Sequence, residues 1–304
     1  MSETALAQLD GADVIVGMVI DGLSSEHSKR AYGRALTDFL TWYRATGQAA
    51  LSKATVQRYA AELQKAGLSA ANVNQRLSAI RKLAREAADN GAIPEQTANG
   101  ISRIRGVRQE GHKTGNWLSR DQAQRLLDLP DVSTVKGVRD RAILAVFLGC
   151  GLRREEAARL TFDHIRQLEG RWVIVDLAGK RNKTRSVPMP SWAKAAIDAW
   201  AKAAGIATGF VFRAVNKSGR VVSDRMTAQA LHDIVTEYGA RLGLRIAPHD
   251  LRRTFAKLAY RGGAGLDQIQ LSLGHGSIQT TERYLGVRQD LTDAPCDHLG
   301  LRLS

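Results

Sequence analysis

From Gly106 to Asn116 the chain reads Gly-Val-Arg-Gln-Glu-Gly-His-Lys-Thr-Gly-Asn, a polar, glycine-rich stretch with no apolar period. Such a stretch cannot cross a core, so it divides the chain and predicts two separately packed domains. The expected boundaries are a first domain over 1–107, a linker over 108–116 and a second domain with a tail over 117–304. Before the linker the apolar residues recur at helical spacing. Ser24 or Ser25 can cap a helix to about Thr46 that carries Tyr32, Leu36, Phe39, Leu40 and Tyr43 and ends at Gly47. A second helix carries Val56, Tyr59, Ala60 and Leu63 up to Gly67. A third runs from near Ser69 with Val73, Leu77, Ile80, Ala84 and Ala87 to Gly91, and a short fourth follows Pro94. The first domain therefore reads as a bundle of four or so helices.

After the linker the pattern is mixed. Leu118-Ser119 opens a helix to Leu129, and Arg139–Leu148 is apolar all round, as a buried helix is. Arg171–Leu177 alternates and is rich in β-formers; Ala178-Gly-Lys-Arg-Asn-Lys183 and then Thr184–Met189 complete a hairpin with a basic turn. Helices resume over about Ser191–Ala204, Met226–Leu242, His249–Tyr260, Leu266–Leu273 and Ile278–Leu285. The expected fold class is mainly α, with a small antiparallel sheet in the second domain.

The 304 residues include 44 Lys+Arg against 30 Asp+Glu, a formal charge of +14, with a surplus of four in 1–116 and ten from 117 onward. A surplus of this size favours a polyanionic partner. With 44% hydrophobic residues the chain is not a disordered one. The longest apolar run, Ala142–Leu152, is too short to cross a bilayer, and Val14–Ile20 lacks the basic flank of a secretory signal. Two cysteines, Cys150 and Cys296, make no disulfide framework and suit a reducing cytoplasm. In the first domain Lys29, Arg30, Arg34, Arg76, Arg81, Lys82 and Arg85 read equally as phosphate contacts or as a solvated face.

Four separated pieces carry chemistry. Arg153 follows a glycine break (Gly149-Cys-Gly-Leu-Arg-Arg-Glu-Glu156) and offers a planar fork for phosphate oxygens, or simply pairs with a glutamate. Lys183 sits in the hairpin turn, from which it can donate a proton over a groove; most turn lysines are only solvated. Pro248-His249-Asp-Leu-Arg252 opens a helix with His249 and Arg252 on one face. Leu273-Gly-His275-Gly leads, nine residues on, to Tyr284, either a core tyrosine or a nucleophile whose phenolate nearby cations stabilise.

In this order and spacing the set resembles the tyrosine recombinase, or phage integrase, family across the whole second domain, and the helical first domain looks like that family's core-site DNA-binding half. The resemblance implies that Tyr284 attacks a scissile DNA phosphate to give a 3′-phosphotyrosyl bond. Arg153 and Arg252 would clamp the non-bridging oxygens, Lys183 would protonate the leaving 5′ oxygen, His249 would act as acid/base partner and His275 would hold the phosphate. Glu156 matches a supporting glutamate. Arg181 stands where the family often has glycine and is counted with the DNA-contacting residues, and Arg253 stands where many members have a second histidine.

The implied partner is double-stranded DNA with paired half-sites, held in a synaptic tetramer, either for a mobile element's integration and excision or for Xer-type resolution of chromosome dimers. The tail from Leu285 to Ser304, with Leu299, Leu301 and Leu303, would dock on a neighbouring subunit or pack on its own domain. No cofactor or metal is called for. The chain lacks a Walker phosphate loop, a dinucleotide fingerprint and an acidic two-metal cluster, and Cys296-x-His298 supplies only two ligands. Related or competing functions are a type IB topoisomerase, which does not exchange strands, and a DNA-binding regulator that cuts nothing.

Overall fold

The first helix of the computed structural model, α1 (Ala12–Asp21), is one that the apolar spacing does not announce. Its residues are apolar nearly all round, and only Ala12, Ile15 and Val19, one stripe at i, i+3 and i+7, are buried. The structure describes residues 11–47, 50–108, 116–178 and 184–286. The expected linker over 108–116 therefore lies mostly outside the described residues. The hairpin turn with Arg181 and Lys183, and the tail from 287 with Cys296 and His298, lie wholly outside them.

The chain divides into two compact units, Met1–His112 and Lys113–Ser304, each with its own apolar core. In the first, serine hydroxyls set three helix starts. Ser25, Ser52 and Ser69 accept the backbone N–H of Ser28, Thr55 and Asn72, opening α2 (Glu26–Ala45), α3 (Lys53–Lys65) and α4 (Ala70–Asp89). Each such cap stabilises its helix by about 1 kcal/mol. Pro94 precedes α5 (Glu95–Ser102), so the described bundle has five helices, one more than the spacing suggested. Leu36, Val56, Val73, Leu77, Ile80 and Ile101 are at most 1% exposed and form the centre. Phe39 and Trp42 lie 5.1 and 4.9 Å from the Tyr59 ring, locking α2 to α3.

In the second unit Ser119 caps α6 (Arg120–Asp128) and Thr134 caps α7 (Val135–Cys150). From Ala142 to Cys150 every residue of α7 is buried, as its unbroken apolar run requires. Its polar start is neutralised internally: Arg139 bonds Asp140 at 2.7 and 2.9 Å, and the Tyr238 hydroxyl donates to the same carboxylate at 3.1 Å. Gly151 ends α7 in the left-handed region at φ 58°, and an added Cβ would lie 2.6 Å from the Phe255 ring. The short α8 (Arg154–Ala158) follows at once.

A three-stranded antiparallel meander comes next: β1 (Ile165–Leu168), β2 (Arg171–Ala178) and β3 (Thr184–Pro188). The expected hairpin is β2–β3; β1, four residues with a mostly exposed face, carries no strong strand signal. Ala178 pairs with Thr184 at the last described rung before the basic turn. The remaining helices are α9 (Ser191–Ala204), α10 (Ala228–Arg241), α11 (Pro248–Arg261), α12 (Leu266–Leu273) and α13 (Ile278–Leu285).

Candidate active site

Arg153 stands at the N-terminal boundary of α8, directly after the turn at Gly151. Its backbone N–H donates to Glu156 Oε2 at 2.7 Å, and its guanidinium donates to Glu156 Oε1 at 2.8 Å and to the Leu273 carbonyl at 3.3 Å. The Arg–Glu pair that the sequence left open is real, but it is half of a larger device. Arg185 of β3 grips the same carboxylate with both terminal nitrogens, at 2.7 and 2.8 Å, and its Nε donates to the Ser272 carbonyl at 2.9 Å. One buried glutamate thus joins α8 to the hairpin through charge-assisted bonds, and its two arginines reach on to the carbonyls at the end of α12.

Proline at the first position of α11 and the Asp250 carboxylate, which accepts the Ala247 N–H at 3.0 Å, fix where that helix begins. The Arg252 side chain then runs inward, 1% exposed. It donates to the Gly151 carbonyl at 2.5 Å and to the Leu273 carbonyl, the same acceptor that Arg153 uses. Gly274 closes α12 at φ 60°, where an added Cβ would lie 2.8 Å from the Arg185 side chain. That close approach places His275 beside the guanidinium pair.

His275 Nδ1 lies 3.0 Å from the Thr281 hydroxyl, which is fully buried. Tyr284, on α13, sits between the two imidazoles: its ring is 5.6 Å from that of His249 and 5.3 Å from that of His275, edge to face in both cases. The Arg253 guanidinium lies 5.0 Å from the same ring, and the phenol donates to the His249 carbonyl at 3.4 Å. Lys257 donates to the Leu285 carbonyl and so fastens the end of the tyrosine's helix to α11.

Burial and the clustered arginines set the protonation states. Burial, then Arg252 and Arg153, push His275 down to about 4; burial, then Arg253 and Arg252, also lower His249. Both rings are neutral near pH 7 and free to accept protons. Burial raises the Tyr284 phenol while Arg252 and Arg253 pull it back, so it rests protonated. Burial, then Arg153, lower Arg252 to about 9, which leaves it charged at neutral pH. Burial alone would raise Glu156, but the Arg185 bonds and the Arg153 N–H hold it at about 2.

These shifts give stability a pH signature. An ordinary carboxyl titrates near 4.5, so the Glu156 contribution is complete above that pH and is lost as pH falls toward 2. It amounts to about 3 kcal/mol. His275 acts in the same direction at higher pH: the unfolded imidazole takes its proton near 6.5 and the folded one only near 4. Melting temperature is therefore expected to hold above about pH 7, fall below 6.5 and fall further below 4.5, with the upper step reduced in His275→Gln. Melts that stay level from pH 7 to 4.5 would contradict these assignments.

The structure brings Arg153, His249, Arg252, His275 and Tyr284 together; Lys183 lies outside the described residues. Of the seven basic residues named in the first unit, six have partners within it. Lys29 pairs with Glu26, and Arg30 donates to the Glu26 carbonyl. Arg76 bonds Asp38 and the Tyr59 hydroxyl, Arg81 the Ile104 carbonyl, Lys82 the Gly22 carbonyl and Arg85 the Ser102 hydroxyl. Arg34 is exposed. Sequence reading missed Arg185, although β3 carried the signal: in an alternating strand Arg185 shares the inward face with buried Val187, and an arginine there needs an acid.

Comparison with known proteins identifies the family. Residues 116–290 match the model described as the phage integrase family, and residues 18–91 match that of the phage integrase N-terminal SAM-like domain. Tyrosine recombinase XerC of Stutzerimonas stutzeri (strain A1501) is 33% identical over 267 residues, covering 86% of this chain and 85% of the relative. The fold is shared with the Tn1549 transposon integrase, solved in complex with circular intermediate DNA, at a TM-score of 0.68 and 16% identity over 92% of this chain and 96% of that one. It is also shared with the XerH site-specific recombinase bound to palindromic difH substrate, at a TM-score of 0.67 and 21% identity over 87% of this chain and 77% of that one. The chain belongs to the phage integrase family and is a tyrosine recombinase.

Proposed function

We propose that the chain cuts and rejoins duplex DNA at a specific site through a covalent link to Tyr284. The observation that carries this reading is the enclosure of one phenol by two neutral imidazoles and a guanidinium that come from α11 and from the turn after α12. The Tyr284 oxygen attacks phosphorus, the P–O5′ bond breaks, and a 3′-phosphotyrosyl ester remains. The phenolic proton passes to neutral His249, since an unaided phenol titrates near 10 and is a poor nucleophile at pH 7. Arg153 and Arg252 hold the non-bridging oxygens, with N–H groups that in the free protein meet at the Leu273 carbonyl. His275 donates a further bond to the phosphate. Rejoining reverses these steps and conserves the ester's energy, so it needs no nucleotide cofactor.

Lys183 is the proposed donor to the leaving 5′ oxygen, carried by the turn between β2 and β3. Lys183→Ala is expected to slow cleavage roughly 10²-fold, the scale of general-acid catalysis. A substrate with a 5′-bridging sulfur, whose leaving group needs no proton, should restore the rate. Lys180→Ala in the same turn is the control. A loss confined to Lys180→Ala and rescued by sulfur would move the role to that residue.

The natural substrate in this reading is a pair of inverted half-sites, joined within a tetramer whose tails contact neighbouring subunits, in the cytoplasm. The same chemistry would serve a mobile element's integrase or a resolvase. Incubation with two site-bearing duplexes of different length separates the activities: recombinant-length products are expected, whereas relaxation of supercoils without them would indicate a topoisomerase. Binding without cleavage would indicate a regulator. Truncation after Val287 is expected to weaken synapsis, and unchanged synapsis would remove the tail from the assembly.

A further inference from the structure

The turn after α12 holds the backbone of His275 from two directions. Its N–H donates to the Gln270 carbonyl at 3.2 Å, and the Gln270 side-chain amide donates to its carbonyl at 3.3 Å. Rotation of the side chain is the ring's remaining freedom, and α13 removes it. Thr280 and Thr281 are neighbours in that helix with different surroundings. Thr280 is exposed and pairs with the Ser277 hydroxyl at 3.0 Å, whereas Thr281 is fully buried with its hydroxyl 3.0 Å from His275 Nδ1. Thr281 and Tyr284, at i and i+3, share a face of α13. One helix thus carries the phenol and also fastens the imidazole whose ring lies 5.3 Å from it.

Near pH 7 the His275 ring is neutral, its titration lowered to about 4, so it has one proton for two nitrogens. The threonine decides between them. If Nδ1 carried the proton and donated it to Thr281, the hydroxyl's own proton would need a second acceptor. Among the described residues this hydroxyl makes no other hydrogen bond, and an unpaired donor in a fully buried place is costly. If the hydroxyl donates to Nδ1 instead, both groups are satisfied and the ring proton stays on Nε2. That nitrogen has no hydrogen-bond partner among the described residues and remains accessible. The arginines alone would not produce this state. A neutral imidazole free to turn beside Arg153 and Arg252 would present its bare nitrogen to their positive charge.

From this arrangement we infer that Thr281 is a positioning residue: by donating to Nδ1 it keeps the His275 proton on Nε2 and so makes that ring a hydrogen-bond donor to the scissile phosphate. The helix that brings the nucleophile therefore also sets the proton of a group that holds the target. The inference rests on the recombinase reading for the phosphate, whereas the tautomer rests on the threonine bond.

The first test uses the full chain without DNA, its histidines labelled with nitrogen-15 and read by NMR at pH 7. The His275 signals are those missing from His275→Ala. A protonated Nε2 and a bare Nδ1 are expected. Thr281→Val, which keeps the shape and loses the hydroxyl, should shift the Nδ1 signal, and Thr281→Ser should return it. Adduct formation on a saturating nicked duplex chosen from a random pool is then timed well below each variant's melting temperature. His275→Ala should slow it roughly 10²-fold, as loss of one transition-state donor does. Thr281→Val should slow it roughly 10-fold, the scale on which partners that orient a histidine act, with Thr281→Ser close to wild type. Added to His275→Ala, Thr281→Val should cost less than about 2-fold more, because the threonine acts through the imidazole. A proton on Nδ1 in the wild-type chain would overturn the inference, and so would an equal loss from Thr281→Val with or without His275. A wild-type chain that shows the Nε2 proton but forms no adduct would retire the cleavage reading and keep Thr281 as the residue that sets the tautomer.

Discussion

Tyr284→Phe is expected to form no covalent adduct with a nicked duplex while still binding that duplex with near wild-type affinity. The substitution removes one oxygen and keeps the ring between His249 and His275. In the free protein it breaks only a 3.4 Å bond to the His249 carbonyl, a weak contact at the margin of hydrogen-bond distance. Folding should be little changed. Cleavage should fall by at least about 10⁴-fold, since the remaining arginines and histidines would have no nucleophile to activate and residual catalysis rests on binding alone. The adduct is read as a denaturant-resistant band. Undiminished adduct in the phenylalanine variant would remove Tyr284 from the chemistry.

The second large effect belongs to Arg185, a side chain that never meets the substrate in this account. It supplies two of the four bonds to the Glu156 carboxylate, whose side chain is 5% exposed. Arg185→Met would leave a buried charge with only Arg153 to answer it. Removing one partner of a buried pair costs about 3–5 kcal/mol. The chain is therefore expected to lose that much stability, measured by urea unfolding.

A merely structural role predicts only that loss. A positioning role predicts more, because Arg185 also holds the Ser272 carbonyl at the end of α12, next to the Leu273 carbonyl that both Arg153 and Arg252 use. Well below the variant's melting temperature, cleavage of bound DNA should still be slowed. Combining Arg185→Met with Glu156→Gln should recover much of the stability, since the stranded charge is gone, without recovering the cleavage rate. Full recovery of both would limit Arg185 to packing.

Much of this was legible in the chain itself, for physical reasons that differ by element. Helix starts were readable where a hydroxyl caps them, as at Ser25, Ser69 and Ser119, and ends where glycine turns left-handed, as at Gly151 and Gly274. α1 has no side-chain cap and β1 spans four residues, so neither leaves a strong local trace. The order of Arg153, His249, Arg252, His275 and Tyr284 pointed to the chemistry.

Their convergence depends on contacts that local patterns do not encode: Arg252 reaching the carbonyls of Gly151 and Leu273, and Arg185 reaching across from β3. The same limit explains the basic residues of the first unit. That Arg76 meets Asp38 and that Arg81 meets the Ile104 carbonyl is set by long-range packing, not by local spacing.

The central claim is that the clustered side chains serve one phenol. It is tested most directly by trapping the protein on a nicked duplex chosen from a random pool, digesting the adduct with protease and identifying the modified residue by mass spectrometry. The account predicts a nucleotide joined through its 3′ phosphate to Tyr284. A nucleotide carried on any other residue, or joined through a 5′ phosphate, would contradict it.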